Sequence, residues 1–223
     1  KVQLEAQPKA QVWHKDVQYC GVKNSNGQTI GGVYLDPHAR PGKNSGAWMD
    51  EVGVRRQLGD AVQTPVAHMV CNFTAPLQNE ADTYLYHDDL LTLFHESGHA
   101  LHHLLTQVGD MDVSGIRGVE WDAVELPSQF MENFCWDYEV LSSMSAHAQT
   151  GEVLPRALFD KMLAAKNFQS GMQMLRQVEF SLYDLRLHAE YAPEQKELIF
   201  DIMNDVRKRV SVVPVPEFNR FAH

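Results

Sequence analysis

Five residues near the middle of the chain, His95-Glu96-Ser97-Gly98-His99, restrict what it can fold into more than any other stretch. They lie in an apolar run, with Leu90, Leu91, Leu93 and Phe94 before them and Ala100 and Leu101 after. Residues four apart share a face on a helix, so the spacing predicts a helix over 88–106 with both imidazoles aimed the same way. Glu96 then sits roughly 100° around from His95, by the 3.6-residue turn. Two imidazoles and a carboxylate are costly to bury without partners. A zinc ion suits them, with His95 and His99 as ligands and Glu96 as the base that takes a proton from bound water. The bland alternative is a chance match in a chain with 11 His, on a helix that holds no metal.

A third ligand would decide between these. The pattern H-E-x-x-H-x-x-G-x-x-H is excluded, because His102 stands at the Gly position and Leu105 at the last His position. His102 shares the face but is seven residues from His95, roughly 10 Å along the axis, too far for one ion. His102 and His103 are therefore read as packing or hydrogen-bonding residues. Glu125 is the better candidate. It lies in Trp121-Asp122-Ala123-Val124-Glu125-Leu126-Pro127-Ser128-Gln129-Phe130-Met131-Glu132-Asn133-Phe134, whose apolar residues have helical periodicity. Gly109, Gly115 and Gly118 allow the chain to turn back, so two antiparallel helices can bring Glu125 to the His pair. Two His and one Glu leave a fourth position for water, as in a hydrolytic zinc site. Carboxylates behind the ligands should orient the imidazoles through their other nitrogen. Glu132, two turns beyond Glu125, and Asp122, three residues before it, are the candidates; either could equally be a solvated helix charge.

The two motifs, His95-Glu96-Ser97-Gly98-His99-Ala100-Leu101-His102 and Val124-Glu125-Leu126-Pro127-Ser128-Gln129 with Met131-Glu132-Asn133, resemble the thimet oligopeptidase family of zinc metallopeptidases. Gly46-Ala47-Trp48-Met49-Asp50, Ser114-Gly115-Ile116 and Trp121-Asp122-Ala123-Val124-Glu125 place the resemblance nearest a bacterial branch, and it extends through Phe218-Asn219-Arg220-Phe221. Ser97 departs from the Phe of many relatives, at a position that binds no metal. The resemblance implies a zincin-like catalytic core that hydrolyses short peptides. It implies one Zn2+ per chain on His95, His99 and Glu125, with Glu96 as general base. Members of that family are longer, and a Gly-Gly-Tyr segment with a His and several Tyr helps bind their substrate. No Gly-Gly-Tyr occurs here; Gly31-Gly32 is followed by Val33, and His223 precedes the family's functional His. The chain is thus expected to be a catalytic-core fragment with weakened activity. The rival readings are a catalytically incomplete zinc-binding fragment or interaction module, and a non-peptidase metallohydrolase.

Composition narrows the setting. A chain of 223 residues with 44% apolar content can bury one sizeable core, so a single domain, 1–223, is expected. No run of eighteen apolar residues predicts a membrane span, and Lys1–Gln7 lacks the apolar stretch of a secretory signal. Three widely spaced cysteines, Cys20, Cys71 and Cys135, read as reduced thiols of a cytoplasmic protein. A net charge of −10 argues against nucleic acid as a partner. No partner protein is indicated.

The order of elements reads as α+β, mostly helical. A small N-terminal β-sheet, with strands within about 11–74, lies beside the helix that bears the H-E-x-x-H motif, and helices fill about 87–210. Residues 17–22, 29–35 and 66–73 have strand character, and Asn24-Ser25-Asn26-Gly27 predicts a hairpin between the first two. Helices are predicted over 88–106, 120–145, 155–167, 169–190 and 194–209, with Pro155 and Pro193 at helix starts. Val212–Pro216 should be extended. A peptide could lie along an edge strand and exchange main-chain hydrogen bonds with it. The 66–74 segment is the candidate for that edge, against the alternative of an interior strand.

Overall fold

The computed structural model describes residues 2–76, 83–195 and 197–214. Val215 and Pro216, the Phe218–Phe221 part of the family resemblance and His223 lie outside the described residues. The chain forms two compact units, Lys1–Leu154 and Pro155–His223.

The first unit is built on a five-stranded sheet. Its strands are β1 (Gln3–Ala6), β2 (Gln18–Lys23), β3 (Thr29–His38), β4 (Trp48–Gly53) and β7 (Val66–Phe73), in the order β1-β2-β3-β7-β4. β3 and β7 are parallel and the other pairs antiparallel. β5 (Arg56–Leu58) and β6 (Ala61–Gln63) form a separate hairpin. The predicted β2–β3 hairpin is present: Gly27 takes φ +77°, and Asn24 Oδ1 accepts from the backbone N–H of Asn26 and Gln28. The 66–74 segment is an interior strand, not an edge. β7 is paired with β3 on one side and β4 on the other, so its main-chain groups are already used. β4, absent from the sequence reading, is the strand that forms this edge.

Helix α1 (His87–Leu104) crosses one face of the sheet. Asp89 accepts from the Tyr86 N–H at 2.9 Å, and Asp88 and Asp89 face the positive end of the helix dipole. Ala100 and Leu104 pack on Val22, Val33, Met49, Ala67 and Met69, which alternate along β2, β3, β4 and β7 to face the helix. The predicted helix 120–145 is broken into pieces. A turn over 121–125 precedes α2 (Leu126–Glu132), a 3₁₀ turn covers Asn133–Trp136, and α3 spans Tyr138–Met144. Pro127 has no N–H to donate and so belongs in a first turn. Asp137 accepts from the Val140 N–H and starts α3 afresh.

The second unit consists of α4 (Arg156–Ala165), α5 (Ser170–Glu190) and α6 (Leu198–Val210). Pro155 precedes α4 as expected. After Pro193 the backbone first makes a turn, with Gln195 N–H on Ala192 O and Leu198 N–H on Gln195 O, so α6 starts later than predicted. Phe159, Ile202, Met203 and Val206 are buried, and Arg207 Nε donates to the buried Glu179 at 2.9 Å. Among the described residues no helix is long and apolar enough to cross a membrane. The three cysteines are free.

At the C-terminal ends of β3 and β7, Asp36 is buried beneath Arg40, Lys43 and Trp13. Both guanidinium NH2 groups of Arg40 donate to it at 2.5 and 2.7 Å, and Lys43 Nζ donates at 2.9 Å. Burial pushes the Asp36 carboxyl up, but the bonds from Arg40, Lys43 and Trp13 and the Lys43 charge outweigh it and hold it well below the usual carboxylate range. A lowered native pKa gives stability that is fully present above the unfolded value of about 3.9 and is lost as pH falls through the lower native one. Asp36→Asn should therefore destabilise the fold by about 3 kcal/mol at neutral pH, as for one partner removed from a buried ion pair. It should also flatten the stability loss below about pH 4. Urea midpoints of both proteins between neutral and acid pH check this; parallel pH curves would refute it.

Candidate functional site

α1 presents His95, Glu96 and His99, and the turn before α2 presents Glu125. Glu125 Oε2 lies 3.1 Å from His95 Nε2 and 3.0 Å from His99 Nε2. One ligand atom from each of the three falls within 4.8 Å of the others. Four tetrahedral donors at zinc distances of about 2.0–2.1 Å stand about 3.3 Å apart. Both measured separations are within a few tenths of an ångström of that, and the donor set, two imidazoles and a carboxylate, suits the ion. These residues therefore fit the metal that the sequence suggested.

The imidazoles are oriented from behind. His95 Nδ1 lies 2.7 Å from Glu132 Oε1. A proton donated there leaves the Nε2 lone pair toward Glu125 and His99. The His99 pKa is lowered, chiefly by burial and further by His95 and His102, against the raising effect of the facing Glu125, which favours the neutral ring that a metal requires. The Glu125 carboxylate is held below its ordinary value, first by a hydrogen bond from Ser128 and then by the two histidines. Glu96 is only 5% exposed, and its Oε2 has no hydrogen-bond partner among the described residues. Its pKa is raised, chiefly by burial and further by Glu125, against the opposing effect of His95. A buried carboxylate with a free oxygen beside the cluster suits proton transfer to and from a small molecule such as water.

Asp122 does not join the site. It lies exposed in the turn before α2, and its carboxylate makes no hydrogen bond or ion pair with a described residue. The break in the predicted helix removes the common face with Glu125 on which its assignment rested. His103 is fully buried, with Nε2 2.9 Å from Gly53 O of β4. His102 lines a cavity of about 460 Å³ with Gly98, Leu101, Pro127, Phe130 and Met131. Ala47 lines another, of about 310 Å³, with Leu91, Thr92, His95, Glu96 and Glu132.

Two residues without an assigned role in the sequence reading prove central. A Cβ on Gly98 would lie 2.4 Å from Pro127 O and 2.5 Å from Ser128 Cα, so α1 and the start of α2 touch backbone to backbone there. Ser128, fully buried, spans the same contact. A glycine inside an apolar helical run is a sequence signal of such close approach; the serine gave none.

A model of peptidase family M3 matches residues 1–223. The chain belongs to peptidase family M3. It is 50% identical over 213 residues to oligopeptidase A of Escherichia coli (strain K12), covering 95% of this chain and 31% of that protein. It is 46% identical over 217 residues to organellar oligopeptidase A, chloroplastic/mitochondrial, of Arabidopsis thaliana, covering 95% and 27%. Saccharolysin of Saccharomyces cerevisiae (strain ATCC 204508 / S288c) is 32% identical over 207 residues, covering 91% and 29%. The chain thus spans under a third of the length of these M3 relatives.

The close approach at Gly98 can be tested directly. Gly98→Ala places a methyl group against backbone atoms that cannot rotate away, so α2 must shift and take Glu125 with it. The variant should lose about 1–3 kcal/mol of stability, the usual overpacking cost. Its zinc affinity should fall by at least about 10-fold, as when support around a metal ligand is lost. Calorimetric titration with Zn2+ and thermal unfolding check both; unchanged affinity would show that the contact does not place Glu125.

Proposed function

We propose that this M3 chain carries the catalytic centre of a zinc-dependent oligopeptidase that hydrolyses short peptides. The single observation that carries the reading is the convergence of His95, His99 and Glu125 on one point, with the buried carboxylate of Glu96 beside it. The α1 helix against the mixed sheet is read as a zincin-like core. The family match spans residues 1–223, and on that ground both compact units are assigned to one catalytic-core domain.

Zinc held by His95, His99 and Glu125 would supply Lewis-acid polarisation of a water and of the scissile carbonyl. The remaining work belongs to side chains. Glu96 accepts a proton from the water as the carbonyl is attacked and returns it to the leaving amine. Glu132 keeps His95 in the tautomer that offers Nε2. The peptide is assigned to β4, which among the described residues pairs in the five-stranded sheet with β7 alone. Its outer main-chain groups can add a further strand, and Ala47 immediately before it lines the cavity with His95 and Glu96. Such binding uses backbone hydrogen bonds and tolerates many sequences. A cytoplasmic setting is proposed from the reduced thiols; relatives carry names of both cytosolic and organellar kinds.

His99→Ala and Glu125→Ala should each weaken zinc binding by at least about 10²-fold, since even the partners behind a ligand are worth 10–100-fold. Elemental analysis after dialysis and competitive chelator titration measure it, and wild-type affinity in both variants would sink the metal assignment. Glu96→Gln keeps the shape and removes the proton acceptor. It should retain zinc while hydrolysis of a fluorogenic peptide falls by at least about 10²-fold. Near-normal turnover in that variant would mean another group activates the water.

A further inference from the structure

The Glu125 side chain is about half exposed, at 48%, and stands in a turn rather than inside a helix. Nothing in that position by itself keeps a flexible carboxylate aimed at the two imidazoles. Yet Oε2 is 3.0–3.1 Å from both. Besides the two imidazoles that face it, Ser128 holds this carboxylate. Its hydroxyl is 2.7 Å from Glu125 Oε2 and 2.9 Å from the Glu125 carbonyl oxygen, and the residue has no exposed surface. A hydroxyl has one proton for these two acceptors, and the ionised, nearer one is the stronger. Ser128 is itself fixed, because its Cα lies against Gly98 of α1, between the two histidines.

We infer that Ser128 is a positioning residue for the metal centre, holding the Glu125 carboxylate in its ligating pose before a cation arrives. This rests on the assignment of zinc to His95, His99 and Glu125. A long, rotamer-rich side chain ordered in advance loses less freedom on binding, so the hydroxyl converts directly into metal affinity. The oxygen that Ser128 grips is the same one that faces both imidazoles. Its second lone pair stays available to an ion while the first is occupied.

The test is zinc affinity of the whole chain, measured by chelator competition, with the rate of zinc loss to excess chelator as a second readout. Ser128→Ala should weaken binding by about 10–100-fold and speed release by a similar factor, the range seen when outer partners of ligands are removed. In a Glu125→Ala background the same substitution should change neither, because its effect passes through Glu125. Equal losses in both backgrounds would show a merely structural role and overturn the inference. Wild-type affinity in Ser128→Ala would overturn it too. Circular dichroism of the metal-free variants monitors folding. If Ser128→Ala is misfolded, Ser128→Gly removes the same hydroxyl with less bulk against Gly98 and is read by the same criteria. Failure of the wild-type chain to bind zinc would refute the metal assignment itself, a result distinct from normal binding by the variant.

Discussion

The contact between Gly98 and the Pro127–Ser128 backbone is the constraint on which the site depends. Helix axes usually lie 8–10 Å apart because side chains separate them. Here a missing Cβ lets the turn of α1 between His95 and His99 meet the start of α2 directly. A glycine inside a helix is less favourable than alanine by about 1 kcal/mol. That penalty is accepted at a position where a side chain would push apart α1 and the start of α2, which Glu125 precedes. The approach of α1 to the start of α2 is therefore set by backbone contact, which is stiffer than contact between flexible side chains.

Much of this was legible in the chain, and the failures have identifiable causes. His95 and His99 could be placed because helical spacing is local and period 3.6 admits one reading. Glu125 could be paired with them only through a second motif thirty residues on, since spacing along a chain does not specify how a loop returns. The helix over 120–145 misled, because Val124, Phe130, Met131 and Phe134 keep helical periodicity across a turn, a short helix and a 3₁₀ segment. Pro127 and Asp137 were the breaks, visible as residue types but weaker than the apolar pattern. β4 was missed for the opposite reason: Asp50 and Glu51 are poor strand formers, and only tertiary pairing with β7 makes Trp48–Gly53 a strand. The edge assigned to β7 failed with it, because a strand can be recognised as interior only when its second neighbour is known. The bonds of Ser128 to Glu125 had no periodic signature at all; a buried hydroxyl reveals its partner only in three dimensions.

Two buried carboxylates, Asp36 and Glu96, stand in opposite surroundings. Asp36 is surrounded by donors: Arg40, Lys43 and Trp13 all reach it, and its charge is fixed. It has no spare valence for reaction. Glu96 is nearly as buried, but one oxygen is left without a partner, and burial favours its proton-bound form. Its charge responds to what is placed next to it. A metal cation would pull that equilibrium toward the carboxylate, and a proton from polarised water would push it back. Responsiveness of this kind is what a base needs and what a structural ion pair must avoid.

The same Asp36 cluster also reaches the site indirectly. Lys43 Nζ donates to His38 O and, across the strands, to Cys71 O, while Asn72 Nδ2 donates to Asn44 O and Gly46 O. These bonds fasten the loop between β3 and β4 to the end of β7, and Gly42 and Gly46, at φ +82° and +96°, make its turns. The loop ends at Ala47, beside Glu96 and His95. β4 thus begins at a defined place relative to α1. His103 repeats the arrangement at the other end of the strand, where its buried ring meets Gly53 O. The edge proposed to receive a peptide is pinned near both termini, once through the loop and once by α1 itself. A strand held at two points against the helix that carries His95 and His99 would keep the proposed peptide edge and the proposed metal ligands in one frame.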